Sequence, residues 1–352
     1  MIKVLIVDDS AVAREFLVHI LGSDPQLEVV GTARDGEEAI EAAMRLKPDV
    51  ITMDIHMPNR DGFEATLRIM ETNPIPIVIV SGSSTVKEAA TAFRAVEAGA
   101  LAVISRPKGI GDPEYERTVR ELIQTVKLMA EVKVVRRWPH LKKEQVTQTT
   151  AKEIKAALAE VKVVAIGAST GGPLVLQAIL SRLPKEFPVP VLIVQHMAAG
   201  FVHGFAEWLA GSSALPVHVA VNNEPFLPGH AYLSPDGFHI GAGSGNRIML
   251  SQSEPENGLR PSVSYLFRSV AQIFGKNAVG ILLTGMGKDG AKELRLMKDK
   301  GAITIVQDME SSVVHGMPGE AISLGAATYV LSPGKIADVL ISVTNGKGGV
   351  RL

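Results

Sequence analysis

Short apolar runs that stop at a polar or glycine-bearing turn and give way to a stretch of helical period recur along this chain. In the first third they lie at 3–7, 28–32, 50–53, 77–80 and 102–104, with amphipathic segments such as 11–21 and 36–46 between them. Strands alternating with helices at this spacing make a parallel sheet with helices on both faces. Five such units predict a compact α/β domain of the flavodoxin-like (βα)5 kind.

The pattern resumes after residue 160. Strand candidates stand at 161–166, 190–194, 278–283 and 302–306, and the segment 262–274 carries Val263, Leu266, Phe267, Val270, Ala271 and Phe274 at helical spacing. A second doubly wound domain follows, Rossmann-like and mostly parallel. The two are not copies of one another, and 352 residues is more than one domain usually holds. Between them Lys133, Arg136, Arg137, Lys142 and Lys143 cluster ahead of the polar stretch 145–150, which reads as a solvated linker with a helical second half at 151–160. The expected division is 1–125, a linker at 126–160, and 161–345.

Composition narrows the function. Thirty-six Lys and Arg face 37 Asp and Glu, a formal net charge of −1, which argues against bulk nucleic acid or an anionic membrane as a charge-driven partner. The absence of cysteine excludes thiol nucleophiles, disulfides and thiolate metal sites. The apolar run 2–7 is cut short by Asp8, too early for a signal peptide, and no later run is long enough to span a bilayer. A cytoplasmic protein with no direct membrane insertion is expected.

Asp8 and Asp9 follow the first strand candidate and Asp54 follows the third, so a parallel sheet gathers three carboxylates at one edge. Like charges this close repel unless one protonates or a cation intervenes, and hard oxygen ligands suit Mg²⁺. A carboxylate so assisted can serve as a nucleophile and form an acyl phosphate. Ser81, at the end of the fourth strand candidate, offers a hydroxyl to a phosphoryl oxygen. The motifs Val7-Asp8-Asp9-Ser10, Met53-Asp54-Ile55-His56-Met57-Pro58, Asp61-Gly62 and Val80-Ser81-Gly82 resemble the receiver domain of two-component response regulators over residues 1–125. The resemblance implies Asp54 as phosphoacceptor, with Asp9, Asp54 and the His56 carbonyl as Mg²⁺ ligands and Asp8 acting through water. It also implies a histidine kinase as phosphodonor. Receivers carry Lys-Pro after the fifth strand, whereas this chain reads Ser105-Arg106-Pro107-Lys108. Arg106, or less readily Lys108, takes that place, and a guanidinium is not the compact ammonium it replaces.

In the second domain the run 161–168 ends in Gly167-Ala168-Ser169-Thr170-Gly171-Gly172. A strand, a glycine turn and a helix can present a nucleophile or cradle a phosphate, and the turn alone does not choose. The surroundings weigh against a nucleotide. The next strand ends in Gln195-His196 rather than the acidic residue that binds ribose, and the G-x-G-x-x-G spacing is missing. His196 and Asp289 also fall at strand ends, so Ser169, His196 and Asp289 share one sheet edge. Serine needs a base to remove its proton, and the base needs a carboxylate to fix its tautomer and steady its charged form. The chain order and the absence of a G-x-S-x-G elbow differ from the α/β-hydrolases. Backbone N–H groups around Thr170 and Met286 are candidates for an oxyanion hole.

Residues 167–172, Gln195-His196-Met197, 284–290, Arg260-Pro261-Ser262-Val263 and Gly316-Met317-Pro318 resemble the catalytic domain of the chemotaxis protein-glutamate methylesterases, the CheB family, over about 161–345. That resemblance implies hydrolysis of glutamyl methyl esters on methyl-accepting chemoreceptors with release of methanol, and deamidation of receptor glutamines, with no cofactor for the ester reaction. It implies Ser169 as nucleophile, His196 as base and then acid, and Asp289 as orienting carboxylate, supported by Thr170 and Met286. It also implies that the unphosphorylated receiver covers the active-site face. Ser264 stands where the family has aspartate, and catalysis is not placed on it. The main competing reading is a response regulator whose second domain only binds a receptor. A DNA-binding output lacks a basic recognition helix.

Overall fold

The computed structural model describes residues 1–82, 86–132, 134 and 161–347. The chain divides into two compact units, Met1–Lys142 and Lys143–Leu352.

The first unit runs β1 (Ile2–Val7), α1 (Ala11–Gly22), β2 (Leu27–Ala33), α2 (Gly36–Leu46), β3 (Val50–Met53), α3 (Gly62–Thr72), β4 (Ile77–Ser81), α4 (Val86–Ala98), β5 (Ala102–Ser105) and α5 (Tyr115–Ala130). The strand order is β2-β1-β3-β4-β5 and every pair is parallel. Every residue of β3 and β4 is buried, as the continuous apolar runs require of strands covered on both faces. Polar side chains just ahead of the helices start them: Ser10 caps α1, Asp35 caps α2 and Asp61 caps α3, each accepting from a backbone N–H three residues on. Gly62 opens α3 against the Asp54 carbonyl, where a Cβ would lie 2.0 Å from that oxygen. The expected linker at 126–160 begins inside α5, which continues to Ala130. Its residues 133 and 135–160, with the expected helical half at 151–160, lie outside the described residues.

The second unit runs β6 (Val163–Ala168), α6 (Gly172–Leu180), β7 (Val191–Gln195), α7 (Val202–Ser212), β8 (Val217–Val219), β9 (Ala231–Leu233), β10 (His239–Gly243), β11 (Arg247–Ser251), α8 (Val263–Phe274), β12 (Ala278–Leu282), α9 (Ala291–Asp299), β13 (Ile303–Gln307), α10 (Gly316–Ser323), β14 (Tyr329–Leu331) and α11 (Pro333–Lys347). Seven strands form a parallel sheet in the order β14-β13-β12-β6-β7-β9-β8, while β10 and β11 pair as a separate antiparallel hairpin. The hairpin and α8 share one apolar core with the main sheet through Ile240, Ile248, Leu266, Phe267 and Val270. The sequence reading had no strand at β8, β9, β14 or the hairpin. Three of these have three residues each, and the hairpin is interrupted by Gly241, Gly243 and Arg247, so none carries a long apolar run.

Both units are wound outward from a central strand. In the first, the connection order reverses between β1 and β3; in the second, between β6 and β12. Open α/β sheets bind ligands at the carboxyl ends of strands flanking such a reversal.

Candidate active site

Ser169 leaves β6 at the reversal of the second sheet. Its N–H donates to the Thr284 carbonyl (3.0 Å), and the Leu283 N–H donates to Gly167 O (2.8 Å), so the ladder between β6 and β12 extends past both strands. Gly285 lies against the serine. A Cβ there would stand 2.6 Å from Ser169 Cβ and 2.5 Å from the Met317 sulfur, so only glycine lets this turn approach. On the other side His196 leaves β7, its N–H donating to Ala168 O (2.9 Å).

Asp289 is 2% exposed at the end of the loop after β12, and its Oδ2 lies 3.0 Å from His196 Nε2. The carboxylate also accepts from Ser262 Oγ (2.8 Å), Val263 N (2.6 Å), Ser264 N (3.2 Å) and Asn257 Nδ2 (3.2 Å). Burial alone would raise its pKa, but the hydrogen bond and charge of His196, with the serine donors, outweigh burial and hold the group below its ordinary value. Asp289 is a fixed anion. With Nε2 committed to it, Nδ1 is the ring nitrogen of His196 left to accept a proton. Among the described residues the Ser169 hydroxyl holds no hydrogen bond to His196, and contacts of this kind commonly tighten only with substrate in place.

Thr170 and Met286 flank the serine in the two turns, Met286 with 44% of its surface exposed. The Thr170 carbonyl accepts from Thr284 Oγ1 (2.9 Å), which ties the two turns together. Among the described residues neither the Thr170 nor the Met286 N–H has a backbone acceptor. Gln195, buried just before His196, donates from one amide nitrogen to the carbonyls of both Ser169 and His196, each at 2.8 Å.

Ser262, Asn257 and Gln195 were not read from the sequence as site residues. Ser262 and Gln195 sit inside motifs that carried the family resemblance, which was the available signal; Asn257 carried none. Ser264 is buried, accepts from Gly290 N (3.0 Å) and donates to Glu293 Oε2 (2.6 Å). It braces the turn that ends in Asp289.

In the first unit Asp8 and Asp54 are buried and Asp9 is exposed, and one carboxylate oxygen of each lies within 4.8 Å of the others. Arg106 Nη2 reaches Asp8 Oδ2 at 2.5 Å and stands 3.7 Å from Asp54 Oδ2. Lys108 is exposed, and among the described residues Arg106 is the cation that pairs with Asp8 and Asp54. Burial first, and the Asp8 charge second, push Asp54 up to about 6 against the pull of Arg106. Burial also raises Asp8, with Arg106 opposing it. Ser81 is buried at the end of β4, and its carbonyl accepts from Arg106 N (2.8 Å). His56 is exposed in the turn after Asp54. Three hard-oxygen carboxylates whose mutual repulsion already raises a pKa fit a divalent cation such as Mg²⁺.

An open α/β unit of the receiver type precedes a second α/β unit with a serine, a histidine and a buried aspartate at its sheet reversal, which defines a receiver-linked hydrolase. Residues 4–112 match the response regulator receiver domain, and 164–340 match the CheB methylesterase domain. The chain belongs to the CheB methylesterase family. It is 57% identical over 349 residues to the protein-glutamate methylesterase/protein-glutamine glutaminase 4 of Geobacter metallireducens, covering 99% of this chain and 100% of the relative. A relative of the same enzyme name from Nitrosospira multiformis is also 57% identical, over 100% of this chain and 99% of its own. The crystal structure of the Thermotoga maritima CheB methylesterase catalytic domain superposes with a TM-score of 0.51 at 40% identity, covering 52% of this chain and 98% of that one.

Proposed function

We propose that this chain, a protein-glutamate methylesterase and protein-glutamine glutaminase of chemotaxis adaptation, works through Ser169, His196 and Asp289 under the control of Asp54. The observation that supports the reading most is the His196–Asp289 pair at 3.0 Å, beside a serine held at the same sheet edge.

The chemistry follows from that pair. His196 Nδ1 takes the Ser169 proton as Oγ bonds to the ester carbonyl carbon, and Asp289 stabilises the imidazolium that results. The Thr170 and Met286 N–H groups receive the oxyanion of the tetrahedral intermediate. Collapse breaks the bond to the methoxy oxygen, which leaves as methanol with the proton from His196. Water then attacks the acyl-serine, losing a proton to His196, and Ser169 recovers that proton as the free glutamate leaves. A glutamine side chain follows the same course with ammonia as leaving group, since both substrates pass through one kind of intermediate. None of these steps calls for a cofactor.

In the receiver, Asp54 accepts a phosphoryl group from a histidine kinase. Asp9, Asp54 and the His56 carbonyl would hold Mg²⁺ directly and Asp8 through water. Bound there, the cation offsets the carboxylate charge and that of the incoming phosphoryl group. Ser81 and Arg106 would meet the phosphoryl oxygens. Methyl-accepting chemoreceptors are the substrate. No described helix is long and apolar enough to cross a membrane, and the reading places the protein in the cytoplasm, meeting receptors without inserting.

The test is methanol release from methylated chemoreceptor membranes. Ser169→Ala should abolish it, leaving at most a residue about 10³-fold or more below the parent. Release unchanged in Ser169→Ala would remove the serine from the mechanism and favour a receptor-binding module.

A further inference from the structure

His239 opens β10, has no exposed surface, and takes no part in the hydrolytic steps above. Its two ring nitrogens hold two points of one loop. Nδ1 lies 3.2 Å from the Ser262 N–H, and Nε2 lies 3.2 Å from the Glu254 carbonyl. A backbone N–H can only donate and a carbonyl can only accept, so the ring is the Nε2–H tautomer, accepting at Nδ1. The ring lies flat on Tyr265, centroids 4.7 Å apart and planes 14° from parallel.

The loop that His239 closes, residues 254–262, serves Asp289. Asn257 in its middle and Ser262 at its end both donate to Oδ1, at 3.2 and 2.8 Å. Immediately beyond, Val263 N and Ser264 N donate to Oδ2 and Oδ1. The loop is tied within itself by Glu256 and Leu259, which exchange backbone hydrogen bonds. Among the described residues every donor to Asp289 other than His196 therefore comes from the segment 257–264, and its anchors to β10 include one imidazole.

We propose that His239 is a positioning residue for the hydrolysis: by joining Glu254 to Ser262 it fixes the donors that hold Asp289 on His196. It touches neither substrate nor reacting atoms, and the inference rests on Ser169, His196 and Asp289 being the reacting set. Fixed donors matter because an orienting carboxylate free to rotate loses the histidine tautomer it exists to select.

Two variants and a double background test this. His239→Phe keeps a ring against Tyr265 but removes both nitrogens, whereas His239→Gln keeps one acceptor and one donor. Methanol release from methylated receptor membranes is measured for each, alone and combined with Asp289→Asn. His239→Phe should lower kcat about tenfold, the rate equivalent of one lost charge-linked hydrogen bond, with KM within about twofold of the parent. His239→Gln should recover most of that loss. In the Asp289→Asn background His239→Phe should cost nothing further, because its effect runs through the carboxylate.

Parent-like kcat in His239→Phe, with Asp289→Asn impaired, would overturn the proposal and leave the triad standing. A full additional loss in the double variant would reduce His239 to packing. Parent activity in Asp289→Asn would instead sink the triad reading itself. Nitrogen NMR of the histidine-labelled parent does not depend on any variant folding. It should show the His239 proton on Nε2, and a proton found on Nδ1 overturns the clip.

Discussion

Asp54 shows how one residue's surroundings decide its chemistry. Burial, then the Asp8 charge, lift its pKa from 3.8 to about 6 in the folded chain. Between those values the native state holds a proton that the unfolded state has lost, so stability falls as pH rises through this window. Above about pH 6 the ionised carboxylate costs the fold about 3 kcal/mol. Without divalent cation, Asp54→Asn should therefore melt higher than the parent at pH 7.5, and the gap should close near pH 4. Adding Mg²⁺ should raise the parent's melting temperature more than the variant's, because a cation offsets the charge the variant lacks. Equal melting at pH 7.5, with no difference in the Mg²⁺ response, would mean the Asp54 charge is already neutralised by Arg106. That guanidinium is 28% exposed and holds Asp8 more closely than Asp54, which is why its relief of Asp54 is partial.

At the scale of elements, strand ends carry the proposed chemistry and the loops between distant elements support it. Asp8, Asp9, Asp54, Ser169 and His196 each lie within two residues of the end of an apolar run, so a reader of the sequence meets the strand and the candidate group together. Asp289 needs only one loop more. The supporting residues offer no such adjacency. Ser262 reaches Asp289 across 27 positions, and Gln195 reaches the Ser169 carbonyl across 26. A buried serine, glutamine or histidine looks the same in sequence whether it braces a site or fills a core. The short strands were hidden for a related reason: β8 and β9 gain their burial from neighbours rather than from a run of their own. Gly285 is the clearest case of an element meeting a site residue. Gly285→Ala would force the turn after β12 away from Ser169, since the added carbon falls within 2.6 Å of Ser169 Cβ. A shift of about 1 Å at a nucleophile costs about a hundredfold in rate. The expected variant keeps its far-UV spectrum and loses kcat on that scale. Retained activity would show that the turn relaxes without moving the serine.

The whole molecule repeats one solution twice. Each unit sets its proposed reactive group where the strand order of its parallel sheet reverses, Asp54 after β3 beside β1 and Ser169 after β6 beside β12. The two sites differ in what their environments ask of a carboxylate. Asp54 is pushed toward neutrality, so a cation and a phosphoryl group relieve it; Asp289 is held as an anion, so it can support a cationic histidine. One site is thus poised to change state and the other to keep it, as a regulator joined to a catalyst requires. Phosphorylation can alter hydrolysis only to the extent that it stabilises an active arrangement of the chain more than an inactive one. That difference is measurable without knowing the arrangements. With acetyl phosphate and Mg²⁺, methanol release by the parent should rise several-fold; a shift of about 1.4 kcal/mol between the states corresponds to about tenfold. Asp54→Asn should keep the basal rate and lose the rise, while Ser169→Ala should lose both. A rise that survives Asp54→Asn would place phosphodonor control on another residue. No rise in the parent, with basal release intact, would separate catalysis from the receiver and turn attention to Arg106, the cation that stands where receivers carry lysine.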